Sequence, residues 1–401
     1  MKVTAIPRAI WVLLVANLVI ALGYGLVAPA LPGFARSFDV TRAAATVVVS
    51  SFALMRLVSA PISGRLVTRL GERRVYLTGL AIVSVSTFAC AFARTYWQLL
   101  VLRAAGGLGS AMFSVSALAL LLRLAPPDLR GRTSGLFSAG FLVGSITGPL
   151  IGAALVGYGL RMPFVVYAVA LVVASLVVAT QLRGVGGRPG TTDTAGSTLA
   201  PALSFLATLR DPTYRAIITS SFTQGFASMG VRVALVPLFV TDATGLGKSA
   251  GWSGVVLAVY AGGNVVAIAL AGRLSDQIGR RPLMLGGLAL MAAGTLPLGY
   301  SNGLVAVCAL SVVAGAGSGL FAPTHQAALG DLVAARAPGG TALAAFPMAG
   351  DIGGVCGPVI AGFIADRVGY GPAFALSGVV ALVAIAFWVQ ARETAPQVTS
   401  V

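Results

Sequence analysis

The segment Ser63-Gly64-Arg65-Leu66-Val67-Thr68-Arg69-Leu70-Gly71-Glu72-Arg73-Arg74 is a short basic step between two long apolar runs. It returns 208 residues later as Ala271-Gly272-Arg273-Leu274-Ser275-Asp276-Gln277-Ile278-Gly279-Arg280-Arg281-Pro282. The same offset pairs Pro29 with Pro237, and Gly107, Gly109, Ser110 and Phe113 with Gly315, Gly317, Ser318 and Phe321. At an offset of 209, Gly148-Pro149 meets Gly357-Pro358. The chain is one unit written twice.

The composition says where such a unit lives. Of 401 residues, 57% are hydrophobic and 9% charged, with a mean hydropathy of +0.93. Soluble domains carry about 25% charged residues. A soluble enzyme, a disordered chain and a nucleic-acid binder are excluded, although 27 Lys and Arg against 11 Asp and Glu leave a net charge of +16. A polytopic membrane protein fits.

A membrane helix needs about 20 mostly apolar residues. Twelve such runs are expected: 9–31, 43–64, 75–93, 97–122, 133–157, 162–182, 215–240, 251–271, 283–300, 303–327, 340–364 and 371–390. Alternating segments of barrel type are missing, and uninterrupted apolar runs in lipid must be helical to pair their own backbone groups. The first run has no obvious small-residue cleavage site and reads as a retained helix. The fold class is therefore all-α integral membrane, twelve helices in two six-helix repeats. A polar stretch rich in Gly, Pro, Ser and Thr divides the spans six and six. The expected domains are 1–182, a cytoplasmic linker 183–214, and 215–401.

Most of the basic charge is topological. With both termini on one side, 18 of the 27 basic residues fall on that side, 6 on the other, and Arg56, Arg103 and Arg232 inside spans. The positive-inside rule then puts both termini in the cytoplasm, with the chain multi-pass in the cell membrane. Cys90, Cys308 and Cys356 fall in spans and read as packing residues.

Gly140, Gly144, Gly148 and Gly152 recur every fourth residue and share one helix face, where two backbones approach closely. The Gly148-Pro149 step removes an N–H and favours a kink. These residues resemble motifs of the major facilitator superfamily over essentially the whole chain. The loop motif G-x-L-x-D-R-x-G-R-[KR] appears as Gly64, Arg65, Thr68, Arg69, Gly71, Arg73 and Arg74, and again as Gly272, Asp276, Gly279 and Arg280. Arg103 with Gly107 resembles the motif of span 4. Gly144, Gly148, Pro149 and Gly152 resemble the span 5 pattern of the family's antiporters, notably the twelve-helix drug:proton group. Gly357 and Pro358 repeat part of it. The resemblance implies a gating role for these residues. Thr68 stands where the family has an Asp that helps latch the cytoplasmic gate, whereas Asp276 keeps the acid in the second copy. Span 1 offers Asn17 and Tyr24 but no carboxylate, so proton coupling must use another residue or be absent.

An ionisable residue inside a span is costly and marks a functional candidate. The repeat sharpens this. Arg56 aligns with Asn264, Arg103 with Ser311, Arg232 with Tyr24, His325 with Ala117 and Asp351 with Leu142. None is matched in kind. Asp351 is the one acid placed deep in a span, a candidate proton carrier or half of a fixed ion pair. Arg103 and His325 join it as coupling candidates, His325 having a hydrogen-bonded structural role as its plainer reading. Arg56, Arg232, Asn17, Tyr24, Gln224 and Asn264 are cavity candidates, with ion pairing or interhelical hydrogen bonding as their structural alternatives. Tyr24, Trp252 and Phe321 are aromatics that could stack on an apolar substrate, although aromatics near span ends are usually interface anchors. Three arginines against one acid favour anionic, zwitterionic or neutral amphipathic cargo over lipophilic cations.

The expected function is secondary active transport: proton-coupled efflux of hydrophobic or amphipathic small molecules by alternating access. The alternatives are uptake or facilitated diffusion of an organic anion, or a non-transport membrane enzyme or sensor. An enzyme would want paired acids, a metal cluster or a nucleophile–base set, and no Walker lysine motif supports ATP-driven pumping. The expected partners are a small-molecule substrate, protons and membrane lipid. No cofactor, metal or nucleic acid is expected, and the chain is expected to act as a monomer.

Overall fold

The computed structural model describes residues 7–126, 129–182, 209–336 and 340–394. The stretch 183–208, which holds most of the expected linker, lies outside the described residues. Among the described residues, twelve helices are long and apolar enough to cross a membrane. Spans 1 to 6 are Arg8–Val27, Arg42–Leu70, Glu72–Ala91, Tyr96–Leu124, Arg130–Val156 and Met162–Gln181. Spans 7 to 12 are Pro212–Thr241, Gly251–Ile278, Arg280–Thr295, Leu304–Arg336, Gly340–Arg367 and Tyr370–Gln390. No strand occurs among the described residues.

All twelve runs become helices, but three boundaries need correcting. Spans 2, 8 and 10 run on to Leu70, Ile278 and Arg336, well past the expected ends. The basic motif is therefore not a loop through most of its length. Gly64–Leu70 and Gly272–Ile278 are the last turns of spans 2 and 8. Arg and Leu are good helix formers, and beyond the apolar run nothing in these residues ends a helix. The break falls on one glycine in each copy. Gly71 and Gly279 have φ of +82° and +93°, a conformation open to glycine and strained for other residues.

The chain divides into two compact units: Met1–Val40, Val47–Asp193 and Ala250–Gly254 in the first, Thr41–Thr46, Thr194–Ser249 and Val255–Val401 in the second. In the first, span 5 packs on span 1 through its glycines. A Cβ on Gly144 would come within 2.5 Å of Ala21 Cβ, and one on Gly148 within 2.5 Å of the Leu22 carbonyl oxygen. In the second, span 11 repeats this on span 7: a Cβ on Gly353 would lie 2.7 Å from the Phe226 nitrogen, and one on Gly357 2.6 Å from the Phe226 oxygen. Trp388 is fully buried in the second unit with Tyr214, Met284, Leu288 and Phe321. Its indole N–H donates to Ser220 Oγ at 2.6 Å. Phe321 is thus core, which corrects its expected role in stacking on a substrate. Outside, Val15, Val85, Val101, Val173, Leu176 and Val305 are exposed, the apolar coat that lipid would solvate.

Candidate transport site

Span 4 begins at Thr95, whose side-chain oxygen accepts from the Gln98 N–H at 3.3 Å. Two turns on, Arg103 turns inward and is only 7% exposed. Its guanidinium carbon sits 4.5 Å above the centre of the Phe52 ring of span 2. Tyr24 of span 1 is a second neighbour of that ring, with centroids 6.3 Å apart. Arg103 Nε is buried and has no hydrogen-bond partner. The Asn17 amide donates to the Phe137 carbonyl at 2.8 Å, tying span 1 to span 5.

In the second unit the notable element is span 7. Its middle, Gln224–Val231, is a π-helix between α-helical ends. Such wide turns are rare and frequently found at functional sites. The π segment carries Ser228, whose hydroxyl lies 2.8 Å from Tyr260 Oη and 3.3 Å from Ser318 Oγ. Ser318 in turn donates to Gln224 Oε1 at 3.1 Å. Arg232 follows directly. It donates to the Ser228 carbonyl at 2.5 Å and lies 3.2 Å over the Tyr260 ring. Of the cavity candidates, Gln224 and Arg232 therefore share one polar cluster. Asn264 is half-buried on span 8, where Gly315 would bring a Cβ to 3.2 Å from its backbone nitrogen.

The remaining charged candidates are dispersed. His325 is buried between the Phe321 and Phe346 rings, and its Nδ1 lies 3.0 Å from the Phe321 carbonyl. These contacts fit its plainer, structural reading. Asp351 is half-buried on span 11 and Arg56 is exposed on span 2; each is engaged in a polar or electrostatic contact. Trp252 is exposed.

At the basic motifs, one arrangement was hidden in the sequence. Glu72, buried at the start of span 3, accepts from Arg123 of span 4 at 2.9 Å. Arg280, at the start of span 9, pairs with Asp331 of span 10 at 3.2 Å. Residues 72 and 280, and 123 and 331, are each 208 apart. The ion pair is conserved between repeats and its polarity is reversed. The signal was available in the offset, but Glu72 reads as a departure from the motif and Arg123 as one more cytoplasmic cation. Beside each pair, Arg73 donates to the Ala179 carbonyl of span 6, and Arg281 to the Trp388 and Val389 carbonyls of span 12. Thr68 only bonds back to the Arg65 carbonyl at 2.8 Å. The Asp276 side chain lies outside the described residues. A Cβ on Gly64 or Gly272 would meet nothing within 4 Å.

Removing the acid while keeping the shape, Glu72→Gln, leaves Arg123 without its charged acceptor. A hydrogen bond to a charged group contributes about 1.5–3 kcal/mol. The expected result is a melting temperature in detergent lowered accordingly, and restored in large part by the swapped pair Glu72→Arg with Arg123→Glu. Equal melting of Glu72→Gln and the parent protein would remove the pair from the list of supports.

Twelve spans in two compact units, with a polar cluster and a guanidinium inside them, fit a polytopic membrane transporter. The family model of the Major Facilitator Superfamily matches residues 13–256 and 217–400, and the chain belongs to that family. It is 28% identical over 358 residues to "Multidrug resistance protein 1" of Bacillus subtilis, covering 88% of this chain and 89% of that protein. A shorter match, 31% over 157 residues, joins it to "Quinolone resistance protein NorA" of Staphylococcus aureus, over 39% of this chain and 40% of that protein. Among solved structures, a bacterial homologue of the human lysosomal transporter Spinster superposes with a TM-score of 0.77 at 16% identity, over 95% of this chain and 96% of that one. The xylose transporter XylE of E. coli gives 0.72 at 16%, over 97% and 99%. The expected membrane fold and transporter class are both met.

Proposed function

We propose that this protein is a secondary active exporter of hydrophobic or amphipathic small molecules, working by alternating access and coupled to protons. The observation that carries this is the similarity to a multidrug resistance protein over 88% of the chain. The glycine-packed spans 1 and 5 and spans 7 and 11 support it, because close helix contacts without long side chains can shift between packings. Asp351 is the proposed proton carrier, with Arg103 tuning the charge inside the spans and His325 a secondary relay. Arg232, Gln224, Tyr24, Asn17, Arg56 and Asn264 are proposed to face cargo. The functional domains are proposed as 1–182 and 215–401, joined by a cytoplasmic linker, in a monomer with both termini cytoplasmic. The charge bias of 18 basic residues toward that side supports the orientation.

The test is transport by the purified chain in liposomes carrying an imposed pH gradient. A neutral and an anionic amphipathic dye should accumulate against their own gradients and stop when the proton gradient is collapsed. Accumulation that survives collapse would overturn proton coupling; no movement of any probe would overturn export.

A further inference from the structure

The polar cluster of span 7 borders a small cavity that lies wholly inside the second unit. Its volume is about 20 Å³, and spans 7, 8, 9, 10 and 12 wall it. That is room for one body the size of a water molecule. The polar walls are Ser228, Arg232, Tyr260, Thr295, Ser311 and Ser377, the others are apolar, and no carboxylate lines it.

The hydroxyl protons can be followed one by one. Thr295 donates to the Met291 carbonyl at 2.8 Å. Tyr260, Ser228 and Ser318 each find an acceptor if the protons run Tyr260 to Ser228, Ser228 to Ser318 and Ser318 to Gln224 Oε1, over 2.8, 3.3 and 3.1 Å. Ser311 and Ser377 differ. Each is 1% exposed, and neither hydroxyl has a hydrogen-bond partner among the described residues. A hydroxyl inside a helix commonly bonds back to the carbonyl one turn earlier, as Thr295 and Thr324 do in this unit. Two helices thus bring unmet donors to one cavity, and an unmet buried donor is costly. Arg232 is engaged with the Ser228 carbonyl and lies over the Tyr260 ring. What it brings to the cavity is its positive charge. A water could accept from both serines, but it would add two protons and nothing to answer the cation. An anion brings acceptors only.

The repeat supplies a control. At the offset of 208, the first unit has Ile20 for Ser228, Tyr24 for Arg232, Phe52 for Tyr260, Arg103 for Ser311 and Val169 for Ser377. The paired serines and their cation are therefore peculiar to the second unit, and a packing role common to both units would not require them.

We infer that this cavity is a binding site for one small monovalent anion of the halide class, chloride or bromide, held by the Ser311 and Ser377 hydroxyls beside the charge of Arg232. Bound there, the ion joins spans 10 and 12 to the end of the π-helix in span 7. The volume excludes sulfate and organic acids. The site goes beyond the export reading and does not depend on it, because binding is measured without transport.

The probes are the sodium salts of chloride, bromide, sulfate, gluconate and benzoate at equal ionic strength, and the readout is the melting temperature of the purified full-length protein in detergent. Chloride and bromide should raise it over gluconate by about 2–4 °C at about tenfold their Kd. Sulfate and benzoate should do no more than gluconate. Ser311→Ala and Ser377→Ala should each weaken chloride by about tenfold, the loss of one hydrogen bond to a charged group, and the double variant should lose the chloride response. Arg232→Gln should weaken it at least as much. Ser311→Thr keeps a hydroxyl and should keep the response, which separates a lost donor from poor folding. Equal melting of the parent protein in chloride and gluconate overturns the site. So does a chloride response that persists undiminished in the double variant, since that is a general salt effect. A rise with benzoate and none with either halide places a cargo group in the cavity and defeats the halide assignment.

Discussion

Asp351→Asn should abolish pH-driven accumulation of cargo while leaving counterflow exchange intact. Export against a gradient needs a group that binds a proton on one side of the membrane and releases it on the other. Span 1 has no carboxylate, and Asp351 is the acid placed deep in a span by the sequence. It is half-buried on span 11, whose glycines pack on the π-helical middle of span 7. An amide of the same shape keeps that packing and cannot cycle a proton. The loss should be at least about tenfold in steady-state accumulation, the factor that one pH unit of driving force supplies through a one-proton exchange, or about 1.4 kcal/mol. Exchange of labelled for unlabelled cargo needs no net proton movement and should continue. Full accumulation by Asp351→Asn would move the coupling role elsewhere, with His325 the next residue to substitute.

The second large effect belongs to the glycines of span 5, and it is not uniform along them. Gly140 and Gly148 lie on the same face at the same four-residue spacing. A Cβ at Gly140 meets only ordinary contacts at 3.8 Å, whereas at Gly148 it would lie 2.5 Å from the Leu22 carbonyl and 2.9 Å from Gly25 Cα. The obstacles at Gly148 are backbone and cannot swing aside. Overpacking costs about 1–3 kcal/mol where side chains can adjust, and more where they cannot. Gly140→Ala should melt with the parent protein. Gly148→Ala should melt clearly lower, and Gly148→Leu should fail to give a monodisperse folded protein. A Gly148→Leu protein as stable as the parent would show that spans 1 and 5 do not meet as described.

At Gly64–Leu70 the helix outlasts the apolar run. Polar residues after an apolar run mark departure from the membrane, not departure from the helix. Those are different events. Hydropathy ends where lipid ends, but a helix ends where its backbone is forced out, here at Gly71 and Gly279 with positive φ. The π-helix of span 7 had no signal at all, since Gln224–Val231 is ordinary in composition and its widening depends on what packs around it.

By itself the sequence determined the solvent, the number of spans, the duplication and the family, because each depends on composition or on spacing along the chain. It also singled out Arg56, Arg103, Arg232, His325 and Asp351 inside the apolar runs, since lipid makes such residues rare. Only the tertiary structure decided what those residues touch. Glu72 with Arg123 reads as a defect in a motif until Arg280 with Asp331 is seen as its mirror in charge. Arg103 and Arg232 do not align with each other, yet both reach the same repeat position, Phe52 and Tyr260. A long side chain can deliver its charge several ångströms from its own helix. Position along the chain therefore fixes where an arginine starts, and the packing of its neighbours fixes where the charge ends.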